Sequence, residues 1–126
     1  MNESETFVQP CLLTIAVPPT EPRRDAPGER QLAGDPQFSI WNLERAADGT
    51  IASGIWETTP GRWRTVYDGK WEFCTIVHGA LTITEDSGEP VTYRAGESFV
   101  IRDGFRGIWE ARELTRKHYV VHMARR

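Results

Sequence analysis

At 126 residues the chain can build one domain around one core and is too short for two. A formal charge of −3 offers no basic stripe, so nucleic acid is not an expected partner. No apolar run approaches the roughly 20 residues of a membrane helix, and no membrane partner is expected either.

The N-terminus, MNESETFVQPCLLTIAVPP, starts acidic and holds only a short apolar run, unlike a secretory leader. A cytoplasmic protein is expected. Its two cysteines, Cys11 and Cys74, belong to no paired motif and are expected as reduced thiols. Leu12 to Val17 is predicted as a short strand. It runs into PPTEPRRDAPGERQLAGDP, Pro18 to Pro36, where prolines, charges and glycines without an apolar period predict a loop or extended arm. Residues 1–36 are therefore expected to form a strand and an arm appended to a single domain over 37–126. From Gln37 the text turns to short alternating runs. QFSIWNL, IASGIWETT, RWRTVY, WEFCTIVH, ALTITE, VTYR, SFVIR, FRGIWEA and LTRKHYVVHM are punctuated by PG, DG, SG and AG. Such spacing predicts an all-β sandwich or barrel, and no 3.6-residue period persists. Five Trp, five Phe and three Tyr supply core area and also suit the walls of a small-molecule pocket.

In GKWEFCTIVHG, Glu72 and Gly79 form the pattern E-x6-G. This closes the first of two cupin signatures, G-x5-H-x-H-x(3,4)-E-x6-G, with Gly61 near its leading glycine. The second, G-x5-P-x-G-x2-H-x3-N, is matched by Gly96 and Gly104 in GESFVIRDGFRG. The chain resembles a small single-domain cupin. SGIWETTPGRW, WEFCTIVHG, GESFVIRDGFRGIWE and TRKHYVVH resemble the ureidoglycine-aminohydrolase-like branch, which includes ethanolamine-utilisation-type domains. The resemblance covers about Gly28 to His122. It implies a double-stranded β-helix, the jelly-roll barrel, and a homodimer in which the Leu12 to Val17 strand exchanges between subunits. It would ordinarily imply a metal held by histidines. Here the first pair of histidine positions falls on Thr65 and Tyr67, or on Val66 and Asp68. The third falls on Gly107, and the signature's proline and asparagine positions hold Arg102 and Ala111.

Alternation places Glu72, Cys74 and Ile76 on one face of their strand and Trp71 and Phe73 on the other. The resemblance puts the first set inside, together with Trp63, Thr65 and Tyr67 and with Gly107 and Trp109. The expected pocket has Glu72, Tyr67 and Lys117 as its chemical groups, and Trp56, Trp63, Cys74, Trp109 and Tyr119 as ligand contacts. The indoles equally suit a plain core, and Cys74 a small buried hydrophobe. An inward carboxylate is costly unless paired, hydrogen-bonded or protonated. Glu72 is thus open to a structural role beside Tyr67 or Lys117, to acid–base work at a pKa raised by desolvation, or to a metal. His78, at a strand end, is expected to be exposed. Arg102, Arg106, Arg112 and Arg116 surround the second signature, and one at the pocket mouth would select a carboxylate.

The favoured reading is a metal-independent pocket for a small polar or anionic ligand, with proton transfer through Glu72 if the protein is an enzyme, a point the sequence leaves open. No cofactor is predicted. One alternative is a metallo-enzyme of aminohydrolase or dioxygenase type, binding manganese, iron, nickel or zinc through relocated ligands among His118, His122, Cys74, Glu57 and Glu72. The other is a non-catalytic structural or regulatory dimer whose barrel is packed shut by tryptophan.

Overall fold

The structure, a computed structural model, is described over residues 10–124; the acidic start, residues 1–9, lies outside the described residues. Among these, eleven strands form: β1 (Arg23–Asp25), β2 (Gln31–Gly34), β3 (Phe38–Ala46), β4 (Ile51–Thr58), β5 (Gly61–Val66), β6 (Lys70–His78), β7 (Ala80–Glu85), β8 (Val91–Arg94), β9 (Ser98–Ile101), β10 (Arg106–Ala111) and β11 (Thr115–Met123). They pair antiparallel in two sheets, ordered β1-β3-β4-β11-β6-β9 and β2-β5-β10-β7-β8. The all-β, jelly-roll expectation holds. No helix among the described residues is long and apolar enough to cross a membrane.

The alternation read from the sequence is the alternation of burial. Glu72, Cys74 and Ile76 of β6, Thr115, Lys117, Tyr119 and Val121 of β11, Trp63 and Thr65 of β5, and Trp109 and Ala111 of β10 all point between the sheets. Trp71, Phe73 and Val120 take the outer face and stay exposed. Gly79, the glycine of E-x6-G, turns β6 into β7 at φ +80°. A Cβ there would lie 2.4 Å from the Leu114 carbonyl oxygen, so the turn admits no side chain.

Two expectations for the N-terminal part are corrected. Within the single chain Leu12 to Val17 is not a strand; it has no ladder partner among the described residues, and Leu12 stays 90% exposed. β-propensity without an edge to pair with does not make a strand. Conversely, the segment read as loop or arm contributes β1 and β2, short edge strands on β3 and β5. The flanking Pro22, Pro27 and Pro36 fall outside both ladders, as edge strands permit.

A β-bulge between Asn42 and Glu44 shifts the register of β3 against β4. Opposite it, Gly54 has no room for a Cβ, which would lie 2.0 Å from the Trp41 carbonyl oxygen. The extra residue reverses the parity beyond it. Arg45, paired with Ala52, therefore comes to the same side as Phe38, Ile40 and Asn42, where it stays exposed at the rim of the space between the sheets.

Candidate functional site: a cationic, indole-walled cavity

Between the sheets lies a cavity of about 460 Å³, within the size range of small-molecule sites. The sequence-predicted Trp56, Trp63, Tyr67, Glu72, Trp109, Lys117 and Tyr119 all line it. Cys74 does not. It lies behind Glu72 and Lys117, fully buried, with the Lys117 ammonium 3.5 Å from its sulfur. Phe38, Trp56, Trp63 and Trp109 form one aromatic wall, with ring centroids 5.0–6.3 Å apart.

Glu72 is the hub of the buried polar groups. The Tyr67 hydroxyl donates to its Oε1, and the Lys117 ammonium donates to its Oε2 at 2.9 Å. In the ladder Lys117 stands opposite Ile76, while Glu72 stands opposite Val121. The long lysine side chain reaches along the strand to make the pair. Its ammonium also sits 4.4 Å from the Trp109 ring centroid and 4.8 Å from that of Trp56, a cation–π arrangement that offsets part of its desolvation.

Burial alone would lift the Glu72 pKa. The charge of Lys117 and the hydrogen bonds from Tyr67 and Lys117 outweigh it and hold the carboxyl below its ordinary range. Of the alternatives read for Glu72, the contacts with Tyr67 and Lys117 are the ones formed, and a desolvation-raised carboxyl is not what results, since these partners outweigh burial. Burial opposes the charge on Lys117, but its anionic neighbours prevail and its pKa is raised. Of those neighbours Glu72 is the one that acts near neutral pH, because burial pushes the Cys74 thiol up to about 12. Burial foremost, then the charge of Glu72, drives Tyr67 well above its ordinary value, so it stays a neutral donor. In native protein, Ellman's reagent at pH 8 is expected to titrate exposed Cys11 at once and Cys74 only on unfolding. A second rapid equivalent would contradict this placement.

The sequence reading missed the groups that charge the cavity mouth. Arg23 of β1, Arg30 beside β2, Arg45 past the bulge and Lys70 at the head of β6 all line it. With Lys117 they make five cations against two carboxylates, Asp25 and Glu72. Both carboxylates are already engaged, Asp25 with Arg23 at 3.5 Å and Glu72 with Lys117. Lys70 lies 4.7 Å from the Tyr67 ring centroid, and burial lowers its pKa, an effect only partly offset by Glu72. Arg30 donates to the Arg64 carbonyl oxygen at 2.8 Å. The arginines expected at the mouth stand elsewhere. None of Arg102, Arg106, Arg112 and Arg116 lines the cavity, and Arg116 pairs with Glu57 on the outer face at 2.7 Å. Two buried polar atoms of lining residues, Thr65 Oγ1 and Trp109 Nε1, have no hydrogen-bond partner among the described residues.

These residues do not fit a divalent metal. Both oxygens of Glu72 are taken, one of them by an ammonium. Gly107, at the signature's histidine position, has no room for any side chain, since a Cβ would lie 2.4 Å from the Thr84 carbonyl oxygen. His118 and His122 alternate with Lys117, Tyr119 and Val121 and so face away from Glu72. His78 is exposed, as expected from its place. No group of three His, Cys, Asp or Glu able to hold a metal occurs among the described residues.

The likeness to known proteins agrees with this architecture. No curated protein matches the chain. Among solved structures, a protein of unknown function of the DUF861 family from Pseudomonas syringae superposes with a TM-score of 0.70 at 22% identity, over 81% of this chain and 43% of that one. The chain thus spans less than half the length of that relative. The EutQ protein of Clostridium difficile gives 0.62 at 16% identity, over 85% and 98%. Ectoine synthase from P. lautus gives 0.62 at 17%, over 70% and 65%. At these identities the likeness is one of fold. The family model for the EutQ-like cupin domain matches residues 45–119, from the bulge through Tyr119, and the chain belongs to that family.

Proposed function

We propose that this cupin binds a small organic anion in the cavity between its sheets, with protein side chains alone supplying the contacts. The observation that carries the reading is the charge of the lining: Arg23, Arg30, Arg45, Lys70 and Lys117 stand against only two carboxylates, Asp25 and Glu72, each already held by one of those cations. A site walled by indoles and rimmed by such cations suits a flat or apolar body ending in a carboxylate. Thr65 and Trp109 add to this, since a buried donor left unpaired costs about 1–3 kcal/mol, which a ligand oxygen would recover. In this reading Glu72 anchors Lys117 and Tyr67 and is not itself the proton-transfer group.

The test compares carboxylates with their own primary amides: benzoate with benzamide, and phenylacetate with phenylacetamide, by thermal shift in the presence of EDTA. The carboxylates should raise Tm and the amides should not, with the difference shrinking in Arg45→Ala and Lys70→Gln. Equal shifts for acid and amide would overturn the proposal.

A further inference from the structure

We infer that the Lys117 ammonium is the resident cation of this barrel, standing where Glu72 would otherwise bind a metal, and that it keeps divalent ions out. The inference rests on the reading of the cavity as a site that works without a metal, and it names the residue responsible. Its basis is geometric. The ammonium is held by Glu72 Oε2 at 2.9 Å, by Cys74 Sγ at 3.5 Å and by the faces of Trp56 and Trp109. Carboxylate oxygen and sulfur are also the atoms a borderline metal such as zinc would select. A dication bonded to Glu72 would have to share that carboxylate with a fixed positive charge. Withdrawal of Lys117, which is 2% exposed, would forfeit the carboxylate and the faces of both indoles at once. Cation and counter-ion are therefore both built into the chain, and Glu72 is a latent metal ligand whose place is already filled.

Replacing the cation by a shorter neutral donor, which leaves the ammonium's own place free for an ion, should reveal the latent site. In a Cys11→Ala background, which removes the exposed thiol, protein is dialysed against zinc or manganese alone and its metal content measured. The parent should retain less than about a tenth of an equivalent of either ion. Lys117→His should retain about one zinc per chain, held by the new imidazole, Glu72 and Cys74, and Lys117→His/Glu72→Gln should fall back to the parent level. If Lys117→His folds only when zinc is added, that also supports the inference, because a metal that binds the folded state alone drives folding. Stoichiometric metal in the parent that Glu72→Gln abolishes would overturn it. So would a Lys117→His chain that takes up no zinc, whether folded or never rescued. These outcomes are separable from the ligand question. A metal-free barrel that ignores carboxylates would sink the anion site and leave Lys117 in its role, whereas carboxylate binding in EDTA by a parent that otherwise takes up stoichiometric metal would do the reverse.

Discussion

Lys117→Met should lower the unfolding free energy by about 3–5 kcal/mol at pH 7, the usual cost of stranding one member of a buried ion pair. Methionine fills most of the volume, so the loss comes from Glu72, left 4% exposed with only the Tyr67 hydrogen bond. Adding Glu72→Gln should recover most of the loss, because a neutral amide can still accept from Tyr67 and needs no counter-charge. The pH dependence has a definite sign. In the wild type the folded-state pKa of Glu72 is depressed, so its stabilisation is present above the ordinary carboxylate value and is lost as pH falls through the folded pKa. In Lys117→Met the same carboxyl, buried without its cation, takes up a proton more readily. The gap between variant and wild type should therefore narrow from pH 7 to pH 4. At the alkaline end, the raised pKa of Lys117 keeps its contribution below the ordinary lysine value and loses it as pH rises through the folded one. Urea unfolding at three pH values measures all of this. A loss under about 1 kcal/mol, or a gap that does not change with pH, would contradict the buried pair.

The tryptophans should divide into two kinds. Trp63 is 2% exposed and packs against Phe38, Trp56 and Trp109, so Trp63→Ala is expected to cost about 3–5 kcal/mol in stability. Trp56 is only half-buried and presents a face to the cavity and to the Lys117 ammonium. Trp56→Ala should cost about half as much stability, since less area leaves water, yet weaken phenylacetate binding at least tenfold, about 1.4 kcal/mol. Equal stability losses with unchanged binding would instead favour a barrel packed shut by its indoles. Chemical denaturation and calorimetric titration on the same two variants decide between these.

How much of this could be read from the sequence depended on whether strand parity survived. Burial alternates along β5 and β11, and along β6 as far as Ile76, with the β6–β11 register shift falling at Arg116/Lys117. Trp63, Tyr67 just past β5, Glu72, Lys117 and Tyr119 could therefore be placed inside from spacing and the cupin resemblance together. Lys70 shares the parity of Glu72 and was legible in the same way, although a lysine beside a DG turn reads more readily as solvated. Arg45 was not legible. The bulge at Asn42 and Glu44 turns it inward, and no residue pattern marks the extra position. Arg23 and Arg30 belong to a stretch without apolar period, whose course over the cavity is set by three-residue and four-residue edge ladders. Cys74 was placed on the right face but at the wrong depth, because parity gives direction and not distance from the cavity. Tyr67 and Lys117 were legible as candidate partners of Glu72, but spacing could not say that both would bond it at once and outweigh its burial.

Selection of anions without a metal is the proposal on which the rest depends. Its most direct test is a fluorescence titration with two dyes of one skeleton, 1-anilinonaphthalene-8-sulfonate and the uncharged N-phenyl-1-naphthylamine, in EDTA. One site per chain is expected, preferring the sulfonate by about tenfold or more, weakening with salt, and losing its preference in Arg30→Ala/Arg45→Ala. Equal affinity for the two dyes, or sulfonate binding that appears only when a divalent metal is restored, would contradict it.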